Sequence, residues 1–582
     1  MSGRWQKLKN APSADGTRIN VSTMLLATDG TVMCQTSGGQ QWLRLRPDGT
    51  GSYLNGTFSV IHPMITGRLY YASAVLKDAR VVICGGEYVA GSSTATESNA
   101  CEIYDPVSAT WTSLAPPTGW KRIGDAACAV LPDGRLLMGN IDDTRTAIYD
   151  PVAGAWSDGG TKNSRSSEES WVLMPDGTVL TVECNTSQQA ELYLPSKKAW
   201  LKAGTTKSLL VEASSSEIGP AILLPDRRAF FVGATGHTAF YTPGAHGAIG
   251  TWSNGPDLPK DASKAQLIAK DAPGCLMPNG KVLLALGPQV GPDVNHGYGT
   301  PTSFYEFDGA AYQRTTDPGN SAGAPYNGRL LLLPNGQVLF AAGTPEIWIY
   351  LPDGAPKTEW APVIESVPSL LVAGKSYSVS GQQFNGLSQA VAYGDDAAAA
   401  TNYPLVQLRN PTGGLVIYCR TFDHSTMAVA TGAAKTATNF EVPAATKAGN
   451  YEIRVIANGI ASLPHHVAVV AATPAASLSV SANALSDSLA KAPEWAVGGG
   501  GSVPLKGMTP AEQRRAKAAY RDVAKGLAAL DKLATAARRS AVAAAKKVPP
   551  AIDLETLGLA DGDDKDSDDK DSDGDKARKA RR

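Results

Sequence analysis

Ala129-Val-Leu-Pro-Asp133-Gly134-Arg-Leu-Leu-Met138 reads as a strand, a two-residue turn and a second strand. Asp-Gly between two apolar runs is a strong hairpin signal, because both residues tolerate positive φ. The unit recurs at Asp29-Gly30, Asp78-Ala79, Asp176-Gly177, Asp226-Arg227, Asn279-Gly280 and Asn335-Gly336. The series of turns is spaced by 49, 55, 43, 50, 53 and 56 residues. A repeat of roughly 50 residues matches the kelch-type period of propeller blades. A second half-unit follows most turns: Tyr104-Asp-Pro then Trp111, Tyr149-Asp-Pro then Trp156, and Tyr193-Leu-Pro then Trp200. Weaker copies are Tyr241-Thr-Pro then Trp252, and Tyr305 then Tyr312. The tyrosine ends a third strand and the Trp anchors a fourth, with both expected to pack between blades.

The last unit, Ile347-Trp-Ile-Tyr350, has no outer strand after it, whereas Arg4-Trp5-Gln-Lys-Leu8 resembles an outer strand with nothing before it. The expected fold is therefore all-β: a seven-bladed propeller over 1–355, closed by the N-terminal strand so that no sheet edge is left free. From 360 to 472 the blade signature gives way to about seven short alternating strands, which suggests an immunoglobulin-like β-sandwich. Residues 473–508 read as a flexible linker ending in Gly498-Gly-Gly-Gly-Ser502. Thr509-Pro510-Ala-Glu512 then opens a basic amphipathic helix over 509–548, and 549–582 reads as a disordered charged tail.

Lys+Arg 53 against Asp+Glu 54 leaves a net charge of -1, so the main body has no global attraction to nucleic acid or anionic membrane. No apolar run reaches the roughly 18 residues of a membrane span. No apolar segment follows Met1, and seven dispersed cysteines without a CxxC pair read as free thiols. Together these give a cytoplasmic chain as synthesised. There is no P-loop, GxSxG or HExxH, and the pairs Asp142-Asp143 and Glu168-Glu169 show no partner, so they receive no catalytic role.

Residues 1–472 resemble the galactose oxidase and glyoxal oxidase family of copper radical enzymes. The most specific matches are Thr421-Phe-Asp-His424-Ser-Thr-Met427 and the hairpin Ala448-Gly-Asn-Tyr-Glu-Ile-Arg-Val-Ile-Ala-Asn-Gly-Ile-Ala-Ser462. The resemblance implies a pocket on the propeller axis formed by Tyr70, Tyr88, Tyr326, Asn327 and His424. It makes Tyr70, Tyr326 and His424 weak metal candidates and places Tyr88 over the family's cross-linked tyrosine. Two departures stand out: Asn327 occupies the position of the second copper-binding His, and Asn20–Met24 lacks the Cys that forms the family's thioether. Cu(II) favours imidazole nitrogens. No cofactor is therefore expected, with copper, and alcohol or aldehyde oxidation to hydrogen peroxide, as the alternative. The leading expectation is a non-catalytic recognition or structural protein that binds a protein or glycan ligand at the axis. Its C-terminal helix would dock on a partner or larger assembly. The largely extracellular habit of the family adds export or particle association to the expectation.

Overall fold

The computed structural model describes residues 2–471, apart from 90, 91, 93, 187, 213, 245–247, 291–296 and 394–398. The expected linker, helix and tail beyond 472 lie outside the described residues. Residues Met1–Ala472 form one compact unit.

Each Asx-Xaa turn forms as its chemistry dictates. In all seven, the Asp or Asn side chain accepts a hydrogen bond from the backbone N–H two residues on, at 3.0 to 3.3 Å. The next residue takes positive φ, even where it is Ala79 (76°) or Arg227 (72°) rather than glycine. These turns join the first two strands of seven four-stranded antiparallel blades. The first strands are Val21–Leu26, Ala72–Val75, Cys128–Val130, Val172–Leu173, Ala221–Leu223, Gly274–Leu276 and Arg329–Leu332, for blades 1 to 7 in order. The first strand of blade 7 contacts that of blade 1, closing the inner ring.

The fourth strand of blade 7 is Arg4–Lys7, which pairs antiparallel with Ile347–Leu351. Trp5 packs against Phe304 and Tyr350, each with a centroid separation of 4.8 Å, and so fastens blade 7 to blade 6. The tyrosine–tryptophan half-units lie opposite one another in register: Tyr104 on Trp111, Tyr149 on Trp156, Tyr193 on Trp200 and Tyr241 on Trp252. Three of the indoles also donate a hydrogen bond to the preceding blade: Trp156 to the Ala115 carbonyl, Trp200 to the Thr146 hydroxyl and Trp252 to the Ala203 carbonyl. The aromatic repeat thus holds neighbouring blades together.

The free-thiol expectation is corrected. Cys84 and Cys101 form a disulfide in blade 2, while Cys34, Cys128, Cys184, Cys275 and Cys419 are free and buried. The two cysteines end and begin adjacent strands, and their register places them directly opposite each other. Linear spacing hides that proximity.

Residues 363–470 form a second β-unit around its own core, which includes Leu371, Val379, Phe384, Val406, Phe440 and Ile453. It seats on the hairpin turns of the ring. Tyr418 covers Gly30, the Thr421 N–H donates to the Thr28 carbonyl, the Met427 N–H to Pro132 and the Arg227 guanidinium to Ala430. One segment goes further: Val391–Ala392 adds to the first strand of blade 6, and Gln389 accepts a hydrogen bond from the Leu173 N–H of blade 4. No helix among the described residues is long and apolar enough to cross a membrane.

Candidate functional site

A cavity of about 540 Å³ is lined by residues from the ends of the blade strands opposite the hairpin turns. The residues just ahead of several first strands provide much of it: Tyr70 of blade 2, Asp125 of blade 3, Glu168 of blade 4, Glu217 of blade 5, Asp271 of blade 6 and Tyr326 of blade 7. Glu87 and Tyr88 join them because Tyr88–Val89 pairs with Arg68–Leu69 in a short ribbon. Tyr298 completes a set of four tyrosines and five carboxylates. Three of these residues, Tyr70 (φ 52°), Glu168 (49°) and Asp271 (50°), hold left-handed backbone conformations that non-glycine residues rarely adopt. Such conformations cluster where the surroundings fix a side chain's aim against local preference.

The hydrogen bonds concentrate on one side. The Tyr298 hydroxyl donates to Glu217 Oε1 at 2.7 Å and lies 3.4 Å from Asp271 Oδ2. Its ring stands 4.4 Å from that of Tyr326. Burial, and then the nearby Asp271 charge, hold the Glu217 carboxyl well above the ordinary range. Burial raises Asp271 as well, against its hydrogen bond with Glu217 and the pull of Arg329. Across the cavity, burial raises Glu87 and pushes Tyr88 up to about 12. Beside that wall, burial and the Glu87 charge lift Glu97 to about 7. All these shifts reflect negative charge crowded into a partly desolvated space.

Beneath this lining, the inserted segment carries Tyr393, whose hydroxyl donates to the Tyr326 carbonyl at 2.7 Å. The Arg329 guanidinium lies 3.9 Å from the Tyr393 ring centroid and 5.4 Å from that of Tyr70. The second β-unit therefore does reach the axis, but through Tyr393.

Of the residues expected from sequence, Tyr70, Tyr88 and Tyr326 share the cavity. Asn327 sits in the same 3-10 turn as Tyr326 and is not among the lining residues. His424 lies apart, on the side of the hairpin turns: its N–H donates to the Lys77 carbonyl, and its Nδ1 meets Thr438 Oγ1 at 2.8 Å. The ring is fully enclosed near Tyr403, and burial lowers it to about 3, so it is neutral. No described histidine or cysteine lines the cavity. Four phenols and five carboxylates without an imidazole do not fit the copper set that the family resemblance implies.

Sequence reading missed Glu87, Asp125, Glu168, Glu217, Asp271 and Tyr298. The structure separates the two members of the Glu168-Glu169 pair. Glu168 faces the cavity, whereas Glu169 turns into a sealed ion cluster with Lys162, 2.8 Å away. A usable signal existed: an acid stands shortly before the first apolar run of blades 3, 4, 5 and 6.

No protein-family model and no curated protein sequence matches the chain. Among solved structures, a fungal alcohol oxidase of the AA5 family, in complex with copper, is 14% identical with a TM-score of 0.46, covering 81% of this chain and 99% of that one. A streptogramin B lyase is 12% identical with a TM-score of 0.39, covering 60% of this chain and 98% of that one. A catalytically inactive virginiamycin B lyase from Staphylococcus aureus with quinupristin is 11% identical with a TM-score of 0.41, again covering 60% and 98%.

Proposed function

We propose that this protein is a non-catalytic recognition protein whose axial cavity binds a positively charged ligand. The observation that carries this reading is the lining of four tyrosines and five carboxylates around about 540 Å³. That volume suits a small ligand, and tyrosine faces and carboxylates both attract cations. A cleft lined by one sign of charge also concentrates its ligand from solution. The second β-unit, read as immunoglobulin-like, supports the lining from below through Tyr393, and the segment after 472 serves as a tether to a partner.

The test is calorimetric titration of the full chain with putrescine and with butanediol, which share a carbon skeleton but differ in charge. Putrescine should bind, weaken with added salt, and weaken again in Asp125→Asn. Equal binding of the diol, or no binding of the diamine, sinks the reading.

A further inference from the structure

Lys162, Glu169 and Glu191 meet where the chain passes from blade 3 to blade 4. Lys162 follows the outer strand of blade 3, Glu169 precedes the first strand of blade 4, and Glu191 lies on its third, Gln189–Leu194. All three side chains are fully enclosed, with Lys162 Nζ 2.8 Å from Glu169 Oε2 and 2.7 Å from Glu191 Oε2. Nζ also lies 4.3 Å from the Trp200 ring centroid and 5.9 Å from that of Trp171. Three charges in a sealed aromatic pocket are costly, and with both acids ionised one negative charge is left uncancelled.

The two carboxyls are not equivalent. Glu191 Oε1 accepts hydrogen bonds from the Asn163 N–H and the Asn163 side-chain amide, each at 2.7 Å, which favours its ionised form. Glu169 Oε1 is buried with no hydrogen-bond partner. Burial lifts the Glu169 carboxyl to about 7, against the pull of Lys162. A proton on Oε1 makes the cluster neutral. Oε2 of that acid receives the Trp171 indole N–H at 2.9 Å, and Thr181 Oγ1 stands 3.3 Å away. Donors aimed at a carboxyl oxygen stabilise the charge that builds there when its carbon is attacked. The Lys162 nitrogen is no more than about 4 Å from that carbon, one C–O bond beyond Oε2. Burial disfavours the ammonium, yet the two carboxylates outweigh it and hold its proton in place, so the amine is freed only by transfer to Glu191.

We propose that Lys162 Nζ and Glu169 Cδ are joined by an amide bond formed inside the folded protein, with Glu191 as the proton acceptor. Glu191 takes one proton from the ammonium, and the freed amine attacks Glu169 Cδ. The bond from Cδ to Oε1 then breaks. Oε1 leaves as water, carrying the proton it already held and a second from the lysine nitrogen. The amide keeps the third lysine proton and Glu191 retains the first, so charge and protons balance with no further reactant. Exclusion of water favours the product, because the expelled water does not return to hydrolyse the amide. The bond closes the loop 162–169, which carries Glu168 to the cavity. It stands whatever the cavity binds.

The test is the intact mass of the full chain, incubated folded near neutral pH and then reduced and denatured. The expected mass is one water below that of the sequence, whereas Lys162→Arg keeps its full mass. Trypsin cuts after Arg165, between the two partners, so the linked chain yields residues 146–165 joined to residues 166–197. Fragmentation should place the branch at Glu169. Glu191→Gln keeps the shape of the side chain without the base, and should cut the linked fraction at least tenfold. A parent at full sequence mass overturns the proposal, as does a branch at Glu191. An undiminished linked fraction in Glu191→Gln overturns the role of that residue. If that variant does not fold, Glu191→Asp replaces it: its shorter carboxylate should slow bond formation after refolding, and an unchanged rate counts the same way.

Discussion

His424 is a neutral imidazole sealed inside the protein, and burial keeps it neutral down to about pH 3. An unfolded chain would protonate the same ring near its ordinary value of about 6.5. Between those limits the unfolded state binds the extra proton, so stability is present above about pH 6.5 and is lost as pH falls toward 3. The slope approaches about 1.4 kcal/mol per pH unit. A His424→Gln variant should therefore melt with a flatter pH dependence than the parent between pH 6 and pH 4, measured by thermal denaturation in matched buffers. Parallel curves would mean the ring is not sealed. A second residue tests the turns. Ala79 carries φ of 76°, which costs an L-residue with a Cβ about 1 kcal/mol relative to glycine. Ala79→Gly should raise stability by roughly that amount, read from denaturant midpoints. No gain would count against the left-handed turn at that position.

The closing strand Arg4–Lys7 is the smallest element with the largest expected effect. Deleting residues 1–9 removes Trp5 from its place against Phe304, Phe340 and Tyr350, and strips the partner from Ile347–Leu351. The exposed edge should lower the melting temperature by many degrees and promote aggregation, seen by light scattering during the melt. An unchanged midpoint would refute closure. This element was legible from sequence because its pairing is written twice, as an orphan strand at each end of the array. The blades were legible for a related reason: Asp-Gly turns and Tyr…Trp half-units are local chemistry repeated at a fixed period. The cavity was not. Its acids lie far apart along the chain, each in its own blade, and become neighbours only when the ring closes. His424 misled for the converse reason. Its motif looks like a metal-binding loop, yet nothing local in Thr421–Met427 says which end of the ring the loop meets. Tyr393 carried no motif and is placed by the strand addition beside it.

At the scale of the molecule, ring and second β-unit share backbone hydrogen bonds, and Val391–Ala392 lies within a blade-6 sheet. The two should unfold in one calorimetric transition, and a chain cut after residue 355 should be insoluble or strongly destabilised. Two well-separated transitions would contradict this. Thiol titration in denaturant without reductant should count five reactive groups, rising to seven after reduction, because Cys84 and Cys101 are joined. Seven from the outset would mean that the bond does not form in solution.

The pairing of Gln6 with Ile349 also sets a timetable for synthesis. A ribosome adding about 5–20 residues per second needs roughly 20 to 70 seconds to travel from one to the other. Throughout that interval the first strand made has no sheet to join, and the growing arc of blades carries a raw edge at its leading end. Only the final blade relieves both at once. The nascent chain thus carries an unpaired edge until the circle is complete, and for that time aggregation competes with folding.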